Sequence, residues 1–237
     1  MNFRKQLRRD IRDLITNIIS YNAIGVGYSF WRQRPWAIAT IAKGKAVLDL
    51  GSGPCINGVA TALRNGGYVV CLDISKTMAS MARYTLKKFN VLGDAVIADA
   101  LKTPFRSNSF DAILAIAVVH HIPKSLLPIL FSEARRILKV LGIFVVTVWS
   151  WRHRRFILKT FLNIFFTLLG LLGYLRRYVI FWKSRRGYFK RVYYLYDLKE
   201  LIEAVKSSKM VVASSGYTWY IRQDNRNVYV AALKSRA

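Results

Sequence analysis

The chain has 237 residues, with 38 Lys and Arg against 12 Asp and Glu for a formal net charge of +26, and is 53% hydrophobic and 14% aromatic. That length suits one domain with a small appendage, and the apolar fraction, with only 14 Gly and 5 Pro, excludes a disordered, collagen-like or linker-like chain. So large an excess of cations opposes compaction unless a polyanion or anionic surface answers it, which leaves RNA, DNA and anionic lipid as the partner classes.

No cleavable signal is expected at the start, because Arg4-Lys5 and Arg8-Arg9 run into alternating polar and apolar residues, not a continuous apolar stretch. Leu7, Ile11, Leu14, Ile15, Ile18 and Ile19 recur at helical spacing opposite an Arg-rich side. They predict an amphipathic helix capping the core, with a membrane-surface or RNA-touching helix as the other reading. From 46 to 148, short apolar runs alternate with helix-like stretches, the pattern of βα units on a parallel sheet. Strands are predicted over Ala46–Leu50, Tyr68–Leu72, Ala95–Ala98, Ala112–Val118 and Ile143–Val148, and helices over Asn57–Arg64, Thr77–Phe89 and Ser125–Lys139. The two cysteines, Cys55 and Cys71, cannot build a disulfide framework and lack zinc-ligand spacing, which points to a reducing cytoplasm and to no metal.

After Trp151 the chain turns strongly basic, with no acid before Asp197. Within it Phe156 to Trp182 is apolar, but its longest charge-free run, Thr160 to Leu175, falls short of the roughly 20 residues a spanning helix needs. A long helix, buried or covered by a partner, is predicted there, with in-plane membrane binding as its competitor. Asp197 and Glu200 have capping-box spacing for a short helix through Val205, and strands over Met210–Ser215 and Asn227–Leu233 follow. The expected architecture is α/β: a doubly wound, mostly parallel seven-stranded sheet. It comprises an N-terminal helical cap (1–45), a ligand-binding core (46–150), a basic insertion (151–196) and a C-terminal completion (197–237).

The chemistry sits at Val47-Leu48-Asp49-Leu50-Gly51-Ser52-Gly53-Pro54, where glycines after the first strand permit a sharp turn and close approach of backbone to a ligand. Ile56 breaks the G-x-G-x-x-G dinucleotide fingerprint. Asp73, ending the second strand, stands where a carboxylate accepts ribose hydroxyls. Asp49, just upstream of the turn, disfavours a phosphate and favours a cation such as a sulfonium.

These residues resemble the class I S-adenosylmethionine-dependent methyltransferases, whose first motif is an acid followed by a glycine-rich turn. The resemblance implies Asp73 on the ribose hydroxyls, Asp99 of Ile97-Ala98-Asp99-Ala100 by the adenine, and Phe110-Asp111-Ala112-Ile113 as the fourth strand. Ser52, Ile74, Ala100 and Ala117 are expected to line the same cofactor site. Cys55 and Val140-Leu141-Gly142 depart from the family's usual glycine and Pro-Gly-Gly.

Tyr21-Asn22, Tyr28-Ser29-Phe-Trp-Arg32-Gln-Arg34-Pro35-Trp36, Ala117-Val118-Val119-His120-His121 and Val148-Trp149 are similar to one branch, the tRNA wobble-uridine methyltransferases that esterify a 5-carboxymethyl group. The resemblance implies tRNA as substrate and a small zinc-binding activator protein as partner. A carboxylate acceptor is ionised at neutral pH and needs no strong base, so alignment does most of the work. Arg32 is expected to clamp the carboxylate or a phosphate, and His120 and His121 to hydrogen-bond the acceptor. Tyr21, Tyr28 and Trp36 are expected to stack on a splayed base, with Arg34 beside them. Two alternatives stay open: a methyltransferase for a lipid-soluble small molecule such as a quinone precursor at a membrane surface, and a non-catalytic RNA-binding protein on this scaffold.

Overall fold

The computed structural model describes residues 3–152, 156, 160–162, 165, 176–184, 187–220 and 223–236. Five parallel strands, β1 (Ala46–Leu50), β2 (Tyr68–Asp73), β3 (Gly93–Ile97), β4 (Phe110–Ile116) and β5 (Leu138–Trp149), form the first part of a seven-stranded sheet. It is closed by the antiparallel β8 (Met210–Tyr220) and β9 (Gln223–Lys234), in the order β3-β2-β1-β4-β5-β9-β8. The chain order reverses between β1 and β4, so a crevice opens at the carboxyl ends of those neighbours, where such sheets bind ligands.

Strand alternation divides the core between the two faces. Val47, Val69, Ala112 and Leu114 pack with Val59 and Ala62 of α2 (Ile56–Asn65) and Ala82 and Leu86 of α3 (Lys76–Lys88). Leu48, Ile113, Phe144 and Val146 pack on the other face with Leu130 and Phe131 of α4 (Leu127–Ile137) and Leu201 of α5 (Leu198–Lys206). Helices on both faces explain why these strands are apolar throughout. Phe131 and Phe144 meet edge to face at 5.8 Å, and truncating either to Ala costs about 3–5 kcal/mol. The capping box at Asp197 and Glu200 forms as expected, fixing the start of α5.

Three expectations are corrected. The stretch predicted as one helix from Phe156 to Trp182 is helical at Phe156, 160–162 and Phe165, but Arg177–Ser184 is strand β6, paired with β7 (Gly187–Tyr194) as an antiparallel hairpin. There Tyr178 and Ile180 are buried while Val179 and Phe181 are exposed, and that period of two is a strand's. The residues between 165 and 176 lie outside those described. Second, Cys55 and Cys71 are joined in a disulfide, so the cysteines give no argument for a reducing compartment. Third, the N-terminal helix α1 (Phe3–Trp31) does not turn its apolar stripe to the core. Its buried residues include Asp10, Asp13, Asn17 and Ser20, whereas Leu7, Ile11, Ile15 and Ile19 are exposed.

The polar face of α1 is buried against partners that answer most of its groups, although Oδ1 of Asp10 has none. Asp13 receives Arg177 at 2.6 and 2.7 Å and the Tyr194 hydroxyl at 2.6 Å. Asn17 accepts from the Val192 N–H at 2.7 Å and donates to the Val192 carbonyl at 3.0 Å, and Asp10 accepts from Ser125 at 2.6 Å. Such satisfied contacts make burial of polar groups tolerable. They fasten α1 across β7 and over the carboxyl ends of the strands. Among the described residues no helix is long and apolar enough to cross a membrane.

Candidate active site

The cavity at the switch point is floored by the β1–α2 turn. Gly51 and Gly53 have φ of +66° and +54°, a region that disfavours side chains. A Cβ on Gly51 would overlap Val118, whereas one on Gly53 would meet only Met78 at 3.9 Å. Gly51 therefore lets the turn close on the neighbouring strand, and Gly53 leaves space above it.

Asp73 borders this space at the end of β2. One carboxylate oxygen accepts from the Gly53 N–H and the other from the Ser75 N–H, each at 2.9 Å, so lone pairs remain for hydroxyl donors in the cavity. Burial pushes its carboxyl up to about 6, as expected of a desolvated acid. Asp99 lies across the cavity beyond β3, its Oδ1 accepting from the Leu101 N–H at 2.9 Å. Ser52, Ile74, Ala100 and Ala117 also line it. Asp49 does not. It is buried beneath the turn, accepts the Gly58 N–H at 2.9 Å, and is pushed up to about 7 by desolvation. Its work is to hold the first turn of α2 onto β1.

The opposite wall comes from α1 and the segments after it. Tyr21, Tyr28 and Arg32 face the cavity with His121, which a turn after β4 brings beneath α1. Arg32 lies 4.9 Å over the Trp36 ring, itself buried behind it, and Arg34 is exposed. The two histidines separate. His120 is 1% exposed, packs against Trp149 and Tyr193, and does not border the cavity. Burial holds its imidazole well below the usual histidine range. His121 borders the cavity and is also kept neutral by desolvation, with its pKa brought down to about 3.

Several site residues escaped the sequence reading. Leu14 and Ile18 of α1 give the cavity an apolar flank, and Asn17 donates to the His121 carbonyl at 3.1 Å. Asn22 accepts from the Ser75 hydroxyl at 2.8 Å and so ties α1 to the Asp73 loop. The available signal was the polar series Asp10, Asp13, Asn17 and Ser20, repeating at helical spacing within an apolar helix. Arg191 of β7 was seen only as one of many cations. It is 7% exposed and caged by Trp182, Tyr193 and Tyr21 at 5.0, 5.3 and 5.9 Å. No carboxylate among the described residues pairs with it, and its Nε has no partner.

A sequence model of the methyltransferase domain matches residues 48–146, the span that holds the glycine turn, Asp73 and Asp99. The chain carries a class I S-adenosylmethionine-dependent methyltransferase domain. It is 31% identical over 136 residues to a tRNA (carboxymethyluridine(34)-5-O)-methyltransferase of Xenopus tropicalis, covering 55% of this chain and 20% of that protein. It is 35% identical over 115 residues to the sterol 24-C-methyltransferase of Saccharomyces cerevisiae, covering 47% of this chain and 29% of the relative. The chain thus matches well under half the length of these relatives. A SAM-dependent methyltransferase of known structure from Methanosarcina mazei superposes with a TM-score of 0.68 at 14% identity, covering 86% of this chain and all of the other.

The cavity of the methyltransferase domain fits its cofactor: the open space at Gly53 would take the amino-acid moiety, Asp73 would accept the ribose hydroxyls and Asp99 would stand toward the base. S-adenosylmethionine supplies an electrophilic methyl group on a sulfonium sulfur. The ends of β1 and β2 border this space on one side and Tyr21, Tyr28, Arg32 and His121 on the other; such an enclosure would offer a bound donor orientation and exclusion of water.

Proposed function

We propose that the domain methylates an anionic, planar acceptor, the carboxymethyl group of a modified wobble uridine in tRNA. One observation carries the reading: the wall facing the donor site combines the Arg32 guanidinium with two tyrosines and a neutral histidine. A guanidinium recognises a carboxylate bidentately, tyrosines offer faces for an unstacked base, and a carboxylate needs no base to become nucleophilic. The net charge of +26 suits a polyanionic substrate, and the name of the frog relative supports the same acceptor. In this reading Arg32 and His121 contact the acceptor, Tyr21 and Tyr28 hold its base, and His120, Arg34 and Trp36 support them from behind or from the rim.

The apolar flank of Leu14 and Ile18 favours a second reading, a lipid-soluble small acceptor, which the sterol-methylating relative also supports. A zinc-binding activator, implied by the resemblance, gains no support from the fold or from the relatives' names. The test is incubation with S-adenosylmethionine and tRNA bearing 5-carboxymethyluridine, followed by mass spectrometry of the nucleosides. Appearance of the methyl ester supports the tRNA acceptor. No gain of mass, with cofactor binding intact, rejects it.

A further inference from the structure

We propose that the outward face of α1 is a docking surface for an anionic lipid bilayer. The helix is inverted relative to an ordinary capping helix. Its polar residues are spent inside on Arg177, Tyr194, Val192 and Ser125, so the apolar stripe is left to solvent: Leu7 is 43% exposed, Ile11 48%, Ile15 50% and Ile19 60%. At four-residue spacing these form a ridge about 18 Å long that winds by about 120° around the helix. Val26 and Phe30 continue it toward the end of the helix. Beside the helix, β6 adds exposed Val179 and Phe181 on the face from which Arg177 reaches Asp13.

Charge decides the occupant. The helix holds two acids, Asp10 and Asp13, and both are buried, whereas Arg4, Lys5, Arg8 and Arg12 are exposed. Arg8 and Arg12 each follow a ridge residue, and so flank the stripe along one side. An apolar stripe bordered by cations, with no exposed carboxylate, has the polarity of an interfacial helix. Its side chains enter the acyl boundary while guanidinium groups reach lipid phosphates. An RNA backbone would answer the cations but leave four large aliphatic side chains in water. Exposed Phe161, Leu162 and Phe165 in the basic insertion give a second apolar contact of similar character. Docking of α1 is independent of the acceptor, and brings the flank of Leu14 and Ile18 close to the bilayer.

The experiment is sedimentation of the full chain with vesicles of equal parts phosphatidylglycerol and phosphatidylcholine, and with phosphatidylcholine alone. The expected result is binding to the anionic vesicles that weakens with salt. The triple variant Ile11→Ser/Ile15→Ser/Ile19→Ser should lower partitioning by about a hundredfold, and Arg8→Gln/Arg12→Gln should weaken the preference for anionic lipid, both with unchanged thermal unfolding and cofactor binding. Failure of the wild type to sediment overturns the proposal. So does a triple variant that binds like the wild type, which would leave the insertion as the sole contact. Conversion of a wild-type dimer to monomer by the triple variant, or loss of tRNA retention without change in vesicle binding, also overturns it, assigning the stripe to a protein or an RNA partner. None of these outcomes depends on whether tRNA is methylated.

Discussion

The Tyr21 hydroxyl on α1 meets Nε2 of His121 at 2.8 Å, joining residues 100 apart in sequence. Nδ1 of the same ring faces the Val192 carbonyl at 3.4 Å, which can only accept, so the proton sits on Nδ1 and Nε2 accepts from the phenol. Both ring nitrogens are thereby engaged within the protein. His121 serves as an oriented, uncharged wall and leaves proton transfer aside. Tyr21→Phe should release the ring and lower single-turnover methyl transfer by about tenfold, the worth of one buried hydrogen bond, with cofactor affinity unchanged. Isothermal titration alongside rapid-quench kinetics separates the two quantities. A variant with wild-type turnover would show that the contact only packs.

Asp73 is raised to about 6 by burial; with its carboxylate accepting the ribose hydroxyls as proposed, affinity for S-adenosylmethionine should be full above that pH and fall by up to about tenfold per unit below it. Stability of the unliganded protein should move the other way, rising as pH falls from about 7 toward about 4, since the folded form binds protons that the unfolded carboxylates release. Asp73→Asn should weaken binding and flatten its pH dependence. His121, with its pKa near 3, should add no inflection near pH 6.5.

The Asp13 carboxylate, 2% exposed, takes two bonds from Arg177 and one from Tyr194. Removing it leaves a half-buried guanidinium without its charge partner, so Asp13→Ala should cost about 3–5 kcal/mol in denaturant unfolding. Loss below about 1 kcal/mol would mean that α1 is held chiefly by its other contacts.

Arg191 predicts an opposite balance. A buried cation without a carboxylate carries a desolvation penalty, so Arg191→Met should leave stability unchanged or higher. Activity on an anionic acceptor should nevertheless fall by about tenfold, through loss of positive potential behind Tyr21. Equal activity in the variant would confine the residue to packing.

The disulfide closes a segment of 16 residues between the glycine turn and β2. Cys55→Ser should lower stability by about 3 kcal/mol under oxidising conditions, measured against the wild type with and without reductant. A wild type insensitive to reductant would show that the bond contributes little.

The glycine turn and the carboxylate beside it were readable because their chemistry is local. Gly51, Gly53 and Asp73 stand at the ends of adjacent βα units, and a short apolar strand followed by a glycine turn admits few backbone paths. The capping box at Asp197 was readable for the same reason, its two partners lying one helical turn apart. Asp49 shows the limit: its proximity to the turn was correctly read, yet whether it faces the cavity or α2 depended on strand alternation meeting a helix packed above. The choice between His120 and His121 was equally out of reach, since adjacent residues diverge and only the position of α1 decides which one borders the cavity.

The sequence alone determined the sheet and the glycine turn beside Asp73, because apolar periodicity and turn chemistry act over a few residues. Tertiary structure alone decided which way α1 faces. A stripe of isoleucines ordinarily turns inward, but carboxylates and amides on the opposite side found Arg177, Tyr194 and the β7 backbone, partners more than 150 residues away. Satisfying those buried polar groups left the apolar ridge outside.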